Sequence, residues 1–299
     1  MHEKVLITGA SGLLGSELMI QLKGLYRALG VNSSSFDICD YEAMLDFFKR
    51  MQPEVVLHAA AMVDVDGCEK DPKRANEINV AGTENVARAC REIGARLIYY
   101  STDYVFDGTK GMPYSEEDQT NPINVYGRTK LMGEHKALDL LDNACVMRIS
   151  WLYGAARDNF VTKVLRESRE RYRASLKGEK IEPLKIVSDQ FSSPTWTLDI
   201  ADQTGKIIEG KITGIVHAVS ENYCSRFSLA EYIFEEISWD LPIEPVKATN
   251  YGFKAPRPLN TPLENKRLNE MNASVMRDYR EAIREFLGVY HGDEEEKNE

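Results

Sequence analysis

With 299 residues, 43 % of them hydrophobic, the chain is long enough for one large core or two joined lobes. Its net charge of −10 opposes a nucleic-acid partner, and no stretch approaches the roughly 20 apolar residues of a membrane span. Five scattered cysteines, never in a C-x-x-C pair, argue against a disulfide framework or a zinc site and for a reducing compartment.

Met1-His2-Glu3-Lys4 runs directly into Val5-Leu6-Ile7, which leaves no room for the basic start and apolar centre of a signal peptide. A cytoplasmic location is expected. The spacing of apolar residues predicts strands at 5–7, 26–31, 55–57, 96–100 and 145–149. Helices are predicted between them at 13–23, 41–51, 76–93 and 125–141. Strands alternating with helices of this length predict right-handed βαβ units. The fold class is therefore α/β, a Rossmann-type doubly wound parallel sheet covered on both faces. This dinucleotide-binding domain is expected over 1–152, with a return of the chain to it at about 212–220.

After Trp151 the rhythm is less regular. Helices are predicted at 159–175, 198–208, 228–237 and 275–287, and short strands at 185–187 and 215–218. Lys177-Gly178-Glu179-Lys180 reads as an exposed loop, and Pro242, Pro245, Pro256, Pro258 and Pro262 mark a turn-rich stretch. Residues 153–290 are expected to form mainly a smaller C-terminal α/β substrate lobe that closes the cofactor site. The acidic end, 291–299, holds no apolar residue to bury and is expected to be a disordered tail.

Gly9-Ala10-Ser11-Gly12-Leu13-Leu14-Gly15 joins the first strand to the first helix. Gly9 permits a tight turn, Gly12 lets backbone N–H groups approach a pyrophosphate, and Gly15 allows close helix–strand packing. Glycine-rich turns also occur for structural reasons, but the first βα junction is the context that gives this one meaning. Where a dinucleotide enzyme that takes NAD offers an acid to the ribose, this chain has neutral Asn32-Ser33-Ser34. Asp37 and Ile38 follow, and Arg27 is the nearest cation in sequence. That favours NADPH, with NADH as the alternative.

Tyr126 and Lys130 stand one helical turn apart on one face. A cation beside a phenol favours the phenolate, and so is expected to draw Tyr126 towards the range of a useful acid–base group. The spacing alone is common, and its bland reading is a surface helix with a snorkelling lysine. The segment 99–108 follows the fourth strand, at the end where open α/β sheets bind ligands, and Thr102 supplies a hydroxyl for a substrate carbonyl. Thr102, Tyr126 and Lys130 are the candidate catalytic residues.

At these residues the chain resembles the extended short-chain dehydrogenase/reductase superfamily, and within it the dTDP-4-dehydrorhamnose reductase family. The resemblance is nearly full length. It rests on Ser101-Thr102-Asp103-Tyr104-Val105-Phe106-Asp107-Gly108, on 124–130, on His58-Ala59-Ala60-Ala61 with the loop 65–69, on 148–154 and 189–196, and on Arg257-Pro258-Leu259-Asn260-Thr261. It implies reduction of the C4 ketone of dTDP-4-dehydro-6-deoxy-L-mannose to dTDP-L-rhamnose, with Tyr126 as proton donor and Lys130 on the ribose. It further implies that Ala59, Ala60 and Ala61 line the cofactor, with Asn79 at the helix that follows. Val65, Asp103, Tyr104 and Trp151 would border the sugar, and Arg257 the phosphates. Core packing is the bland reading for Tyr104 and Trp151, and a surface ion pair for Arg257. A homodimer is the family-level expectation. Some members bridge subunits through Mg²⁺; Glu17 fits one such position but Leu198 stands at another, so no metal is expected.

Two departures stand out. The stretch 172–183 is longer than the family's pattern, and Thr261 stands where a serine is typical. Two rival readings remain. A nucleotide-sugar epimerase or 4,6-dehydratase shares the fold, although Tyr104 follows Asp103 where a dehydratase carries a second acid. A non-catalytic partner, similar to the regulatory subunit of methionine adenosyltransferase, would keep the motifs without turnover.

Overall fold

The computed structural model describes residues 3–290; the tail expected at 291–299 lies outside them. The first half runs β1 (Lys4–Thr8), α1 (Leu13–Leu22), β2 (Arg27–Val31), α2 (Tyr41–Met51), β3 (Val55–His58), α3 (Val65–Lys70), α4 (Pro72–Asn76), a π-helical turn (Glu77–Gly82), α5 (Thr83–Ile93), β4 (Arg96–Thr102), α6 (Val125–Leu140) and β5 (Cys145–Ile149). Every residue of β3 and β5 is buried, as a parallel strand covered on both faces must be. Two hydrophobic layers do the covering. Leu14 and Leu18 of α1 pack on one face, and Phe48 of α2, Val86 of α5 and Ala137 of α6 on the other.

The second half adds β6 (Leu152–Tyr153), α7 (Phe160–Leu176), β7 (Leu184–Val187), β8 (Phe191–Ser192), β9 (Thr195–Trp196), α8 (Thr197–Glu209), β10 (Gly214–His217), β11 (Cys224–Ser225), α9 (Arg226–Glu236), β12 (Ile243–Val246), α10 (Lys266–Glu270) and α11 (Tyr279–Val289). The main sheet is six-stranded and wholly parallel, in the order β10-β5-β4-β3-β1-β2. Successive connections leave β1 towards opposite sides, to β2 and to β3. That opens a crevice at the carboxyl ends of β1 and β3, the place where such sheets bind ligands. A separate core around Tyr153, Trp196, Leu229, Ile233 and Phe286 holds the smaller lobe.

The structure departs from the expected elements in several places; β6, β8, β9, β11 and α10 were not expected, and the helix expected at 275–287 runs instead over α11. Residues 65–70, read as loop, form the short α3, with Cys68 buried beneath it. The helix expected at 76–93 begins earlier, because Pro72 sits at its first position and the Asp71 carboxylate caps the N–H of Arg74. It then widens into the π turn before α5. Pro242 and Pro245 hid β12, which pairs with β7 alone in a two-stranded sheet, where an edge position tolerates proline. β10 lies in the main sheet, and Ile200, Ala201, Ile207 and Ile208 of α8 join the same layer as α1.

Candidate active site

The crevice begins at the glycine turn. Gly9 adopts φ +68°, and a Cβ there would lie 2.7 Å from the backbone nitrogen of Ala60, so β1 and β3 approach this closely only through glycine. A Cβ on Gly15 would collide with the Gly9 carbonyl oxygen. No side chain caps α1 at Gly12, which leaves the first N–H groups of that helix for a ligand. A cavity of about 320 Å³ runs from this turn along Asn32, Ser33, Asp37 and Ile38 on one side and Ala59, Ala60 and Ala61 on the other. Ser11 and Gly12 line its floor. Arg27 begins β2 and so lies at the opposite end of the strand, away from the crevice. The cation that does line the cavity is Arg74, in α4, paired with Glu77 at 3.2 Å. No local pattern could reveal it, because α4 reaches the cavity only through the fold. Asn79 lies behind the wall instead: its side chain accepts from Met62 N–H at 2.8 Å, and donates to Met62 carbonyl and Thr129 hydroxyl. It braces the 59–62 loop.

A second cavity, about 430 Å³, shares Gly12, Ala59 and Ala61 with the first and brings Leu13, Leu14, Gly15, Thr102, Tyr126 and Lys130 together. Asn124 caps α6 by accepting from Gly127 N–H at 2.8 Å, which sets the first turn that carries Tyr126. Lys130 Nζ donates to the Tyr100 carbonyl oxygen at 2.7 Å and sits 4.1 Å above the Tyr99 ring. Burial lowers its pKa to about 7, with Glu134 acting in the opposite sense. The lowering expected for Tyr126 is not found. Burial raises the phenol well above its usual value, and the hydrogen bond with Thr102 offsets only part of this. Lys130, tied to Tyr100, does not reverse it, so Tyr126 holds its proton firmly.

Asp103 is buried beside these groups. Its carboxylate accepts hydroxyl bonds from Thr102 (3.1 Å), Ser192 (3.1 Å) and Thr261 (2.6 Å), which tie β4 to the smaller lobe. Burial still outweighs the three and lifts its pKa to about 6. Thr261 thus supplies the hydroxyl a serine would. Beneath the site Glu134, one turn beyond Lys130, forms a two-point pair with Arg148 at 3.0 and 2.7 Å and accepts from Ser101 at 2.5 Å. Sequence reasoning passed over this buried pair, because its partners lie on α6 and β5.

Trp151 closes the second cavity with its backbone at φ +38°, a conformation side chains other than glycine rarely adopt. Val65 and Tyr104 line both this cavity and a third of about 280 Å³, which reaches Arg257, Tyr251 and Phe253. Arg257 pairs with Asp66 at 2.9 Å. Partial burial pushes the Asp66 carboxyl up, but the Ala255 N–H and the guanidinium together hold it below its usual value. Phe160, Gln190 and Arg226, which line the third cavity, were not foreseen.

The parallel sheet, the glycine turn and the Thr102/Tyr126/Lys130 group define an extended short-chain dehydrogenase/reductase. Within that class the chain matches the model of the RmlD substrate binding domain over residues 3–291 and belongs to that family. It is similar to a dTDP-4-dehydrorhamnose reductase of Mycolicibacterium smegmatis, with 35 % identity over 98 % of this chain and 87 % of the relative. It is equally similar to the spore coat polysaccharide biosynthesis protein SpsK of Bacillus subtilis, 35 % identical over 95 % of this chain and 96 % of that one. Among solved structures it resembles the dTDP-4-dehydrorhamnose reductase of Bacillus anthracis in complex with NADP. There the TM-score is 0.91 and the identity 32 %, over 97 % of this chain and all of the other.

Proposed function

We propose that this protein reduces the C4 ketone of dTDP-4-dehydro-6-deoxy-L-mannose to dTDP-L-rhamnose, with NADPH preferred over NADH. The observation that carries the reading is one cavity, in a chain of this family, where Thr102, Tyr126 and Lys130 face the end of the glycine turn. The residues present suit a dinucleotide: Gly9 leaves space that a Cβ would fill, α1 offers uncapped N–H groups, and Arg74 beside neutral Asn32 and Ser33 suits a 2′-phosphate. When bound, the nicotinamide supplies the hydride.

The chain's own residues do the rest. Tyr126, kept protonated by burial, gives its proton to the oxygen that becomes an alkoxide, which is a far stronger base than a phenolate. The Thr102 hydroxyl, which donates to Asp103 at 3.1 Å, polarises the same oxygen once it turns from that carboxylate to the carbonyl. Lys130 spends one of its three N–H donors on Tyr100 and keeps the others for the ribose. Asp103 is held by three hydroxyls and serves to hold the Thr102 end of β4. The smaller lobe, with Val65, Tyr104, Trp151 and Arg257, takes the sugar nucleotide. A cytoplasmic location accords with five free cysteines, and a homodimer completes the proposal, to be read by sedimentation.

The test is direct. Purified protein is incubated with dTDP-4-dehydrorhamnose, and consumption of NADPH and then of NADH is followed by the absorbance of the reduced nicotinamide. Rapid oxidation, faster with NADPH, is expected. No consumption with either would overturn the proposal and leave the non-catalytic partner role.

A further inference from the structure

Lys130 is buried without an ion-pair partner. Its side chain is 3 % exposed, and among the described residues its hydrogen-bond partner is the Tyr100 carbonyl oxygen at 2.7 Å. One carbonyl compensates an ammonium poorly, and burial pulls such a group towards its neutral form. The charged groups on every side offer little more. On α6 itself Glu134 acts in favour of the charge, but Arg148 of β5 holds that carboxylate at two points and Ser101 at a third. Burial pushes the Cys68 thiol of α3 up to about 11 and the His58 imidazole of β3 down to about 3, so neither is charged at neutral pH. Glu69 of α3 accepts from the Val125 N–H at 3.0 Å. Tyr126 is raised by burial and holds its proton, and three hydroxyls occupy Asp103. Glu84 of α5 and Glu77 of the π turn are half-exposed, paired with Lys136 at 3.0 Å and Arg74 at 3.2 Å.

What lies beside the ammonium is a ring. Lys130 Nζ is 4.1 Å from the ring centroid of Tyr99, a wholly buried residue in the middle of β4. An aromatic face carries the negative part of the ring quadrupole, and its attraction for a cation grows where water is excluded. The ring is also fixed in place. Its hydroxyl donates to the Lys130 backbone carbonyl at 3.4 Å, and His58 stacks on it at 5.6 Å. The next residue points the other way: the Tyr100 side chain packs in the α1 layer, with its hydroxyl bonded to Thr204 at 2.9 Å. β4 thus presents two consecutive residues to one ammonium, the face of Tyr99 and the carbonyl of Tyr100.

We propose that Tyr99 is a positioning residue, whose ring face, in cation–π contact with Lys130, keeps that ammonium charged and fixed in the catalytic cavity. The bearing of this contact on turnover rests on the reductase reading of the site. The charge of Lys130 can be read in the free protein, without substrate or cofactor.

The test replaces the ring and titrates the lysine. Protein labelled with carbon-13 at the lysine ε-carbons is followed by NMR over a pH series, and Lys130→Arg identifies the Lys130 signal by its disappearance. In Tyr99→Leu the loss of a desolvated cation–π contact is expected to lower the Lys130 midpoint by about one pH unit, or tenfold in proton affinity. Tyr99→Phe keeps the face and should stay within about half a unit of the parent. Phenylalanines carrying one, two and three ring fluorines in place of Tyr99 withdraw charge from the face at nearly constant size, so the midpoint should fall stepwise along that series. Thermal melting checks that each variant is folded, and the fluorinated set keeps the test open where leucine misfolds. A midpoint that stays within about twofold in proton affinity of the parent in Tyr99→Leu, or along the fluorinated series, would overturn the inference. So would an equal fall in Tyr99→Phe, since the hydroxyl rather than the face would then hold the charge. If the midpoint follows the ring while dTDP-4-dehydrorhamnose is not reduced, the reductase reading falls and the inference stands.

Discussion

Glu134→Gln tests how much the floor beneath the catalytic group depends on a buried charge. The Glu134 carboxylate meets Arg148 at two points and Ser101 at a third, and both charged side chains are 3 % exposed or less. A guanidinium cannot shed its proton, so removing the carboxylate leaves a buried cation uncompensated, at a cost of about 3–5 kcal/mol. Unfolding entropy of about 2.1 cal/mol/K per residue, over this length, gives roughly 0.6 kcal/mol/K, so the midpoint should fall by about 5–8 °C. The pair itself adds far less than breaking it costs. Glu134→Leu with Arg148→Met should therefore recover most of the loss, leaving about 1 kcal/mol for each polar neighbour that loses its partner, Ser101 and His217. Thermal and urea unfolding of the four members of the cycle gives the coupling directly. A Glu134→Gln variant within about 1 kcal/mol of the parent, or a double variant as unstable as the two singles summed, would refute the reasoning.

Tyr126→Phe should remove most turnover while leaving NADPH affinity nearly intact, as kinetics and a cofactor titration will show; joint loss of both would assign the residue a structural role. Gly9→Ala forces a side chain into φ +68° and against Ala60, so it should cost about 1–3 kcal/mol of stability and weaken NADPH, measured by melting and titration. Acid should destabilise the fold below pH 6.5. Burial, with Lys130 and Arg148 adding to it, holds His58 and His217 at about 3, so the unfolded chain takes up two protons there that the folded one refuses. Asp103, raised to about 6, works in the opposite sense below that pH, and the raised carboxyls of Glu116 and Asp199 add to it lower down. One net proton between pH 6 and 5 is worth about 1.4 kcal/mol, and urea midpoints that do not fall over that interval would contradict the assignment.

The elements readable in advance were those whose signal is local. Alternating apolar runs gave the main-sheet strands, and the Asn124 cap and the Gly9–Gly15 turn lie within a few residues of what they position. Signals that depend on the fold were not legible. Arg27 is nearest to the second strand's acid position in sequence but lies at the wrong end of β2, whereas Arg74 arrives from a helix after the next strand. β12 was obscured because its prolines carry a turn signal that an edge strand can absorb. The Tyr126 phenol shows a different limit. A neighbouring lysine was expected to lower it, but the sequence does not say how deeply the ring is buried or that Lys130 is bonded to Tyr100.

Burial moves three groups around the carbonyl towards neutrality: Lys130 down to about 7, Asp103 up to about 6, and Tyr126 further up. Groups so adjusted are suited to moving or holding protons near neutral pH, and for the same reason poorly suited to holding an anion, because their charge is labile. In the proposed reduction, phenol, hydroxyl and amine act together on the carbonyl from one cavity. The same argument predicts that turnover varies from pH 6 to 8 as Lys130 titrates; a rate profile over that interval that stays flat would refute it.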